Sequence, residues 1–346
     1  MALWTPDRRV MGLLHARESP ARGLPNRVPD RDGDRGGSVN GMTEDPSRPF
    51  GRLLTAMITP FTPDGGLDVD GAARLATHLV DEGGNDGLVI SGTTGESPTT
   101  SDQEKDRLLR AVVDAVGDRA TIVAGVGSYD TAHTIELARA AERAGAHGLL
   151  VVTPYYSKPP QSGLLAHFTA VADATDLPVM LYDIPGRTGT PITTDTLVRL
   201  AEHPRIRAVK DAKDDLGASS QVLARTDLAY YSGSDMFNLP LLAVGAVGFV
   251  SVAGHLVGPR LRELLDSYEK GDVVRARELH QQLLPVYAGI FRTQGAILTK
   301  AALNLLGLPA GPMRLPLVDA TDEQVAQLRA DLAQGGVTLP TGGVAA

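Results

Sequence analysis

The strongest constraint on this chain is a repeated switch of hydrophobic period. From residue 53 onward, short apolar runs of strand length alternate with stretches whose apolar residues recur at helical spacing. The runs lie at 53–58, 87–91, 121–125, 148–153, 179–182, 207–210, 229–232 and 248–252, and helical patterns such as 102–116 and 131–144 separate most of them. Ala144-Gly145-Ala146-His147-Gly148 has the form of a helix stop leading into a strand. Strands that alternate with helices pair in parallel, because a parallel neighbour needs a crossover. Eight units in about 200 residues predict a (β/α)8 TIM barrel, a fold of typically ~250 residues. A doubly wound sheet shows the same alternation but usually has fewer strands.

After the last run only helical patterns remain, at 260–270, 273–291, 295–306 and 321–333, broken at Gly307-Leu308-Pro309-Ala310-Gly311-Pro312. The expected organisation is therefore a barrel over 49–270 and a small C-terminal α-helical region over 271–346. Residues 1–48 are rich in Arg, Asp, Gly and Pro and have no sustained period, which predicts a disordered extension. They lack the continuous apolar stretch of a signal peptide and hold more acidic residues than a transit peptide carries. Met42 then reads as the natural start, with the single tryptophan, Trp4, ahead of it.

Composition removes several function classes. A net charge of −8 disfavours a nucleic-acid partner, since phosphate binding needs a basic face. It agrees with ordinary cytoplasmic solubility. The chain has no cysteine, so disulfide and thiolate chemistry are excluded. Its eight histidines include no His-x-x-x-His pair, and no metal site is expected. No apolar stretch approaches the roughly 20 residues that span a bilayer.

In a barrel, function belongs to the loops that follow the strands. The run ending Ala208-Val209-Lys210 puts a lysine at a strand tip, where the side chain either reaches solvent or is buried and loses its proton. A neutral amine condenses with a carbonyl to give a Schiff base. At an ordinary pKa of ~10.4, only about one lysine in a few thousand is neutral at pH 7, so burial decides whether Lys210 can react. Other tips carry usable chemistry too. Ser91-Gly92-Thr93-Thr94-Gly95-Glu96-Ser97 offers amides for a carboxylate and hydroxyls for a proton relay, although it also has the form of a plain Gly-Thr turn. Tyr155-Tyr156 sits between prolines, a setting that also suits interface packing. Leu181-Tyr182 ends a run, and Arg187 follows in a Gly-flanked turn able to grip a carboxylate. Tyr231–Asp235 and Gly248–Val252 are expected to form floor or wall of the same pocket, whereas Lys213, among acids, is expected to face solvent. Gly125-Val126-Gly127 lacks the third glycine of a dinucleotide loop, and no Gly-x-Ser-x-Gly elbow is present.

Four of these motifs, Gly92–Ser97, Thr153–Tyr156, Tyr182–Gly189 and Val209-Lys210, occur in order at successive tips. With them the chain resembles the dihydrodipicolinate synthase family, within the N-acetylneuraminate lyase superfamily, from about residue 53 to 337. The resemblance implies a lyase of the diaminopimelate route to lysine that condenses pyruvate with L-aspartate-4-semialdehyde and needs no metal or organic cofactor. It makes Lys210 the Schiff-base lysine and Tyr182 the central acid/base. Thr93 would link Tyr182 to Tyr156, and Tyr156 would be lent by the neighbouring subunit of a tight dimer. Thr94 would hold the pyruvate carboxylate and Arg187 that of the second substrate. Gly233 and Val250 would shape the pocket near the lysine. A homotetramer, a dimer of dimers in the cytoplasm, is the implied assembly.

Arg187 separates this reading from another pyruvate-dependent aldolase of the superfamily, since sialic-acid lyases typically lack arginine at this point. A non-catalytic barrel binding a keto acid is the alternative of a different class, and it would leave Lys210 without an adduct. One departure from the resemblance bears on regulation. Family members inhibited by lysine carry His, Asn and Glu around the positions of Lys105, Tyr129 and His133. A lysine ligand would be repelled by Lys105 and would find no fixed carboxylate at His133, so feedback is expected to be weak or absent.

Overall fold

A computed structural model describes residues 45–340, and the expected N-terminal extension with its Met42 start lies almost wholly outside them. The elements run β1 Leu53–Ala56, α1 Val69–Asp81, β2 Gly87–Ile90, α2 Asp102–Val116, β3 Thr121–Gly125, α3 Thr131–Arg143, β4 Gly148–Val152, α4 Gln161–Asp173 and β5 Val179–Asp183. They continue as α5 Pro185–Thr188, α6 Thr194–Leu200, β6 Ile206–Asp211, α7 Leu216–Leu223, β7 Ala229–Ser232, α8 Asn238–Ala243, β8 Gly248–Ser251 and α9 Gly254–Glu269. Three further helices follow, α10 Val273–Ile290, α11 Gly295–Leu305 and α12 Asp322–Gln334. All eight strands pair in parallel in sequence order, and β8 returns to β1 to close the barrel. This is the (β/α)8 fold the alternation predicts, not the doubly wound sheet.

Alternation along each strand sorts side chains into two cores. Leu54, Val89, Val123, Leu150, Met180 and Val250 fill the barrel interior, while their neighbours Leu88, Ile122, Leu149 and Leu181 pack outward against the helices. Phe50 plugs the N-terminal mouth edge-on to Tyr231, whose hydroxyl donates to the Gly51 carbonyl at 2.9 Å. Tyr231 therefore braces the mouth opposite the strand tips. Residues 45–48, inside the expected tail, form a turn below this plug, with Arg48 2.8 Å from Glu269.

Four of the eight predicted runs extend a residue or two past the paired strand, because their last residues already turn into the loop. Strand β6 differs for another reason. Its pairing with β5 slips between Ile206 and Ala208, leaving Arg207 as an exposed bulge residue. An extra residue reverses facing across the bulge, so Ile206 joins the outer core while Ala208 turns inward and Lys210 follows it. The helix expected from 260 begins at Gly254, with a kink at Val257 two residues before Pro259. A proline lacks the amide needed to bond the preceding turn.

The seam between β8 and β1 tolerates no side chain at Gly248, where a Cβ would overlap the Arg52 carbonyl oxygen. Gly248→Ala is expected to destabilise the chain by about 1–3 kcal/mol, read as an earlier midpoint in urea unfolding, whereas Gly163→Ala on α4, where a Cβ would meet nothing closer than 3.5 Å, should shift it by under ~1 kcal/mol.

Candidate active site

The strand tips surround a cavity of about 200 Å³ at the C-terminal mouth. Thr93 and Ser97 line it from the loop after β2, Tyr155 from the loop after β4, Tyr182 from the end of β5, and Arg187 and Thr188 from α5. The register pairs Tyr182 with Lys210 on adjacent strands, so both point into the barrel side by side. Lys210 packs against the inner side of the tyrosine, its Nζ 4.2 Å from the ring centroid, and is only 4% exposed. Gly233 makes room for its stem, since a Cβ there would lie 2.9 Å from Cγ and 3.0 Å from Cε of Lys210.

Electrostatics follow from this burial. Loss of water lowers the Lys210 pKa to about 7, with the positive charge of Arg187 helping and the carboxylate of Asp235 opposing. About half of such amines are neutral at pH 7, roughly a thousandfold more than for an exposed lysine. Asp235 is fixed elsewhere, accepting from the Val252 and Ala253 amides at 3.1 and 2.9 Å, so its field reaches the lysine without an ion pair. Burial pushes the Tyr182 hydroxyl up to about 12, while Arg187 and the Thr93 hydroxyl pull the other way. The phenol therefore stays protonated at neutral pH and can donate. The site thus holds a buried nucleophilic amine, a phenolic donor, a threonine beside that donor and a guanidinium at the rim.

Of the residues singled out in the sequence, Tyr182, Thr93 and Arg187 line this cavity, whereas Lys210 packs against the Tyr182 ring and Gly233 against the Lys210 stem without lining it. Thr94 is buried next to Thr93 but does not line the cavity, and Val250 lies on the inner face of β8. Tyr156 is not in this pocket: it is 92% exposed, on a left-handed backbone with φ +73°. Its neighbour Tyr155 turns inward instead, edge-on to Tyr129 at 5.5 Å. Spacing could not tell which tyrosine of the pair faces in, because the Pro-bounded loop is irregular.

Two expectations are corrected. The Tyr231–Asp235 and Gly248–Val252 tips do not line this cavity, and Tyr231 turns to the opposite mouth, because its inward register there meets Phe50 and the Gly51 carbonyl. Lys213 does not face solvent; its Nζ lies 3.2 Å from the buried Asp183 carboxylate. The chain turns sharply after β6, with the Lys213 amide donating to Asp211 Oδ1 at 2.8 Å, and this carries the side chain over the tip of β5. Burial lifts the Asp183 carboxyl to about 6 although Lys213 and the Ile192 amide pull it down. Asp183 and Asp211 are the outward neighbours of Tyr182 and Lys210, so this polar layer anchors the two reactive tips from behind. Sequence reading missed it because the partners lie on different strands.

The Dihydrodipicolinate synthetase family model matches residues 49–335. The 4-hydroxy-tetrahydrodipicolinate synthase 2 of Streptomyces coelicolor is 69% identical over 297 residues, covering 86% of this chain and 99% of its own length. The 4-hydroxy-tetrahydrodipicolinate synthase of Acidothermus cellulolyticus is 73% identical over 290 residues, 84% of this chain and 94% of its own. Among solved structures, DHDPS from Cyanidioschyzon merolae with lysine bound superposes with a TM-score of 0.82 at 42% identity, over 84% of this chain and all (100%) of that one.

The titration of Lys210 gives a direct test. Only the neutral amine attacks a carbonyl, so borohydride trapping of pyruvate on Lys210 should speed up about tenfold between pH 6 and 8, with its midpoint near 7. Arg187→Met removes a cation that disfavours the ammonium form, so its trapping profile should move to higher pH. An unchanged or acid-shifted midpoint would contradict this assignment of the local field.

Proposed function

The chain belongs to the dihydrodipicolinate synthetase family, and on that premise we propose how its site works as a 4-hydroxy-tetrahydrodipicolinate synthase. The reaction is the condensation of pyruvate with L-aspartate-4-semialdehyde. The observation that carries the reading is the Lys210 amine, buried against the Tyr182 ring with its pKa brought down to about 7.

Neutral Lys210 attacks the pyruvate carbonyl, and water leaves as the imine forms. Tyr182, still protonated, supplies the proton that the departing hydroxyl needs. The protonated imine draws electrons from the methyl group, which loses a proton and becomes a nucleophilic enamine. Its carbon attacks the aldehyde, and the new oxyanion takes up a proton. The amine of the second substrate then adds to the imine carbon, closes the ring and expels Lys210 as the free amine. Thr93 hands protons along from Tyr182, and Thr94 holds the pyruvate carboxylate.

Arg187 binds the carboxylate of the second substrate. Its place at the rim, charged and exposed, suits a residue that meets that substrate after pyruvate is already attached. The same residue favours the synthase over an aldolase acting on a sugar acid. Gly233 and Val250 shape the space around the lysine. Tyr156 completes the relay of a neighbouring subunit: an exposed phenol on a left-handed backbone is well placed to leave its own barrel. A homotetramer built from such tight dimers, working in the cytoplasm, is the corresponding assembly.

Feedback by lysine is weak or absent in this reading. Asp102 already has two partners in the region, with His133 Nε2 at 2.9 Å and Lys105 Nζ at 3.6 Å. Lys105 also donates to the Thr100 carbonyl at 2.8 Å. The ammonium of a lysine ligand would meet the Lys105 cation there, and neither Lys105 nor His133 supplies a carboxylate for it.

A coupled assay with both substrates tests the assignment. Lys210→Ala should lose at least about 10³-fold in kcat, with no borohydride adduct. Arg187→Ala should keep the adduct but raise KM for the semialdehyde by roughly 10- to 100-fold. Turnover without any adduct on Lys210 would sink the mechanism, and an adduct without semialdehyde consumption would point to another aldolase. In the same assay, 1 mM lysine should leave more than about half of the activity, an expectation set by Asp102 being already paired.

A further inference from the structure

The catalytic loop after β2 is gripped from behind by the C-terminal region. Glu96, three residues past Thr93, has left-handed backbone angles of φ +54° and ψ +37°, unusual for a side chain of this size. Its carboxylate is turned away from the cavity and buried. Oε1 lies 2.6 Å from Nζ of Lys300 on α11, and the two side chains are 1% and 2% exposed. At this distance the two buried groups form a close ion pair. Oε2 accepts from the Arg314 amide at 3.0 Å.

Both cations are themselves fixed. Lys300 donates to the Pro312 carbonyl at 2.8 Å and sits 4.1 Å above the Phe61 ring, which the Arg314 guanidinium approaches at 4.0 Å. Arg314 also bonds Glu104 at the start of α2 at 2.6 Å and the Thr99 carbonyl at 2.9 Å. Residues 311–314 are pressed onto the barrel, since a Cβ at Gly311 would overlap the Phe61 carbonyl oxygen. A buried ion pair is a poor way to gain stability, because desolvation offsets its attraction and an apolar pair of similar volume serves as well. A charged pair does penalise other registers, since separating the partners leaves a buried charge unpaired.

We propose that Glu96 and Lys300 are positioning residues: the pair locks the strained turn after Thr93 and Thr94, so the C-terminal region sets the pyruvate-carboxylate subsite and the first step of the proton relay. This deepens the functional reading above and rests on it. Neither residue touches substrate. Their effect passes through the Gly92–Ser97 turn, whose amides at Gly95 and Glu96 bond back to the carbonyls of Gly92 and Thr93 at 3.1 and 3.2 Å.

The test uses the full chain with Glu96→Gln and the double variant Glu96→Gln/Lys300→Met, which leaves no unpaired buried charge. Thermal midpoint, kcat, both KM values and pyruvate-dependent borohydride trapping are measured on each. The double variant is expected to melt within a few degrees of the parent and still be trapped at saturating pyruvate. Its KM for pyruvate should rise at least tenfold and kcat should fall at least tenfold, with the semialdehyde KM changing less than threefold. Values of kcat and pyruvate KM within threefold of the parent would overturn the proposal, as would parallel rises in both KM values. So would failure of both variants to fold, which would assign the pair to holding the fold. A parent chain that is trapped by pyruvate but does not consume the semialdehyde defeats the substrate reading alone. The half-saturation of trapping in parent and variants still decides the positioning role.

Discussion

A primary amine held out of water, with no carboxylate beside it, is the condition the rest of this structure maintains. Left in solvent, Lys210 would be an ammonium and inert toward a carbonyl. Paired closely with an acid, it would be an ammonium as well. The barrel avoids both outcomes. Its interior strands exclude water around the stem, the Tyr182 ring covers the nitrogen, and the acid whose field reaches it, Asp235, spends its oxygens on backbone amides and on Ser251. The field is adjusted by distance and not by contact. An amine with a pKa near 7 is the result.

Keeping acids off the reactive face requires putting them elsewhere, and strand alternation supplies the place. Tyr182 and Lys210 face in, so Asp183 and Asp211 face out, where the turn after β6 brings Lys213 and the Ser219 hydroxyl onto them. Each tip therefore has chemistry on one side and an anchor on the other. The loop after β2 follows the same logic at longer range. Thr93 faces the cavity while Glu96, a turn further on, reaches back to α11. The C-terminal helices, which add nothing to the ring of strands, are tied in this way to the catalytic face.

Much of this was legible in the residues. The eight runs mark the eight strands because a strand buried on both faces must be apolar along its length. Lys210, Tyr182, Thr93 and Arg187 stand out because each interrupts such a pattern at a tip. The bulge at Arg207 was not legible, since no local signal marks it, yet it sets the facing of Ala208 and Lys210 relative to Ile206 in β6. Tyr155 and Tyr156 are chemically equal in the sequence, and only the folded loop sends one into the cavity and the other outward. Lys213 was misread for a related reason: its partner is 30 residues away in the chain and adjacent only across the β5–β6 pair.

The sequence by itself determined the architecture and the kind of chemistry, because both depend on local order: hydrophobic period fixes strand and helix, and reactive side chains at strand ends fix what the mouth of a barrel can do. Tertiary structure alone decided the electrostatics. Whether an amine is neutral, whether a carboxylate such as Glu96 is free or clamped, and which of two tyrosines lines its own barrel's cavity all depend on how the folded chain excludes water and brings distant groups close. Those distances exist only once β8 has met β1 and the last helices have folded back onto the ring.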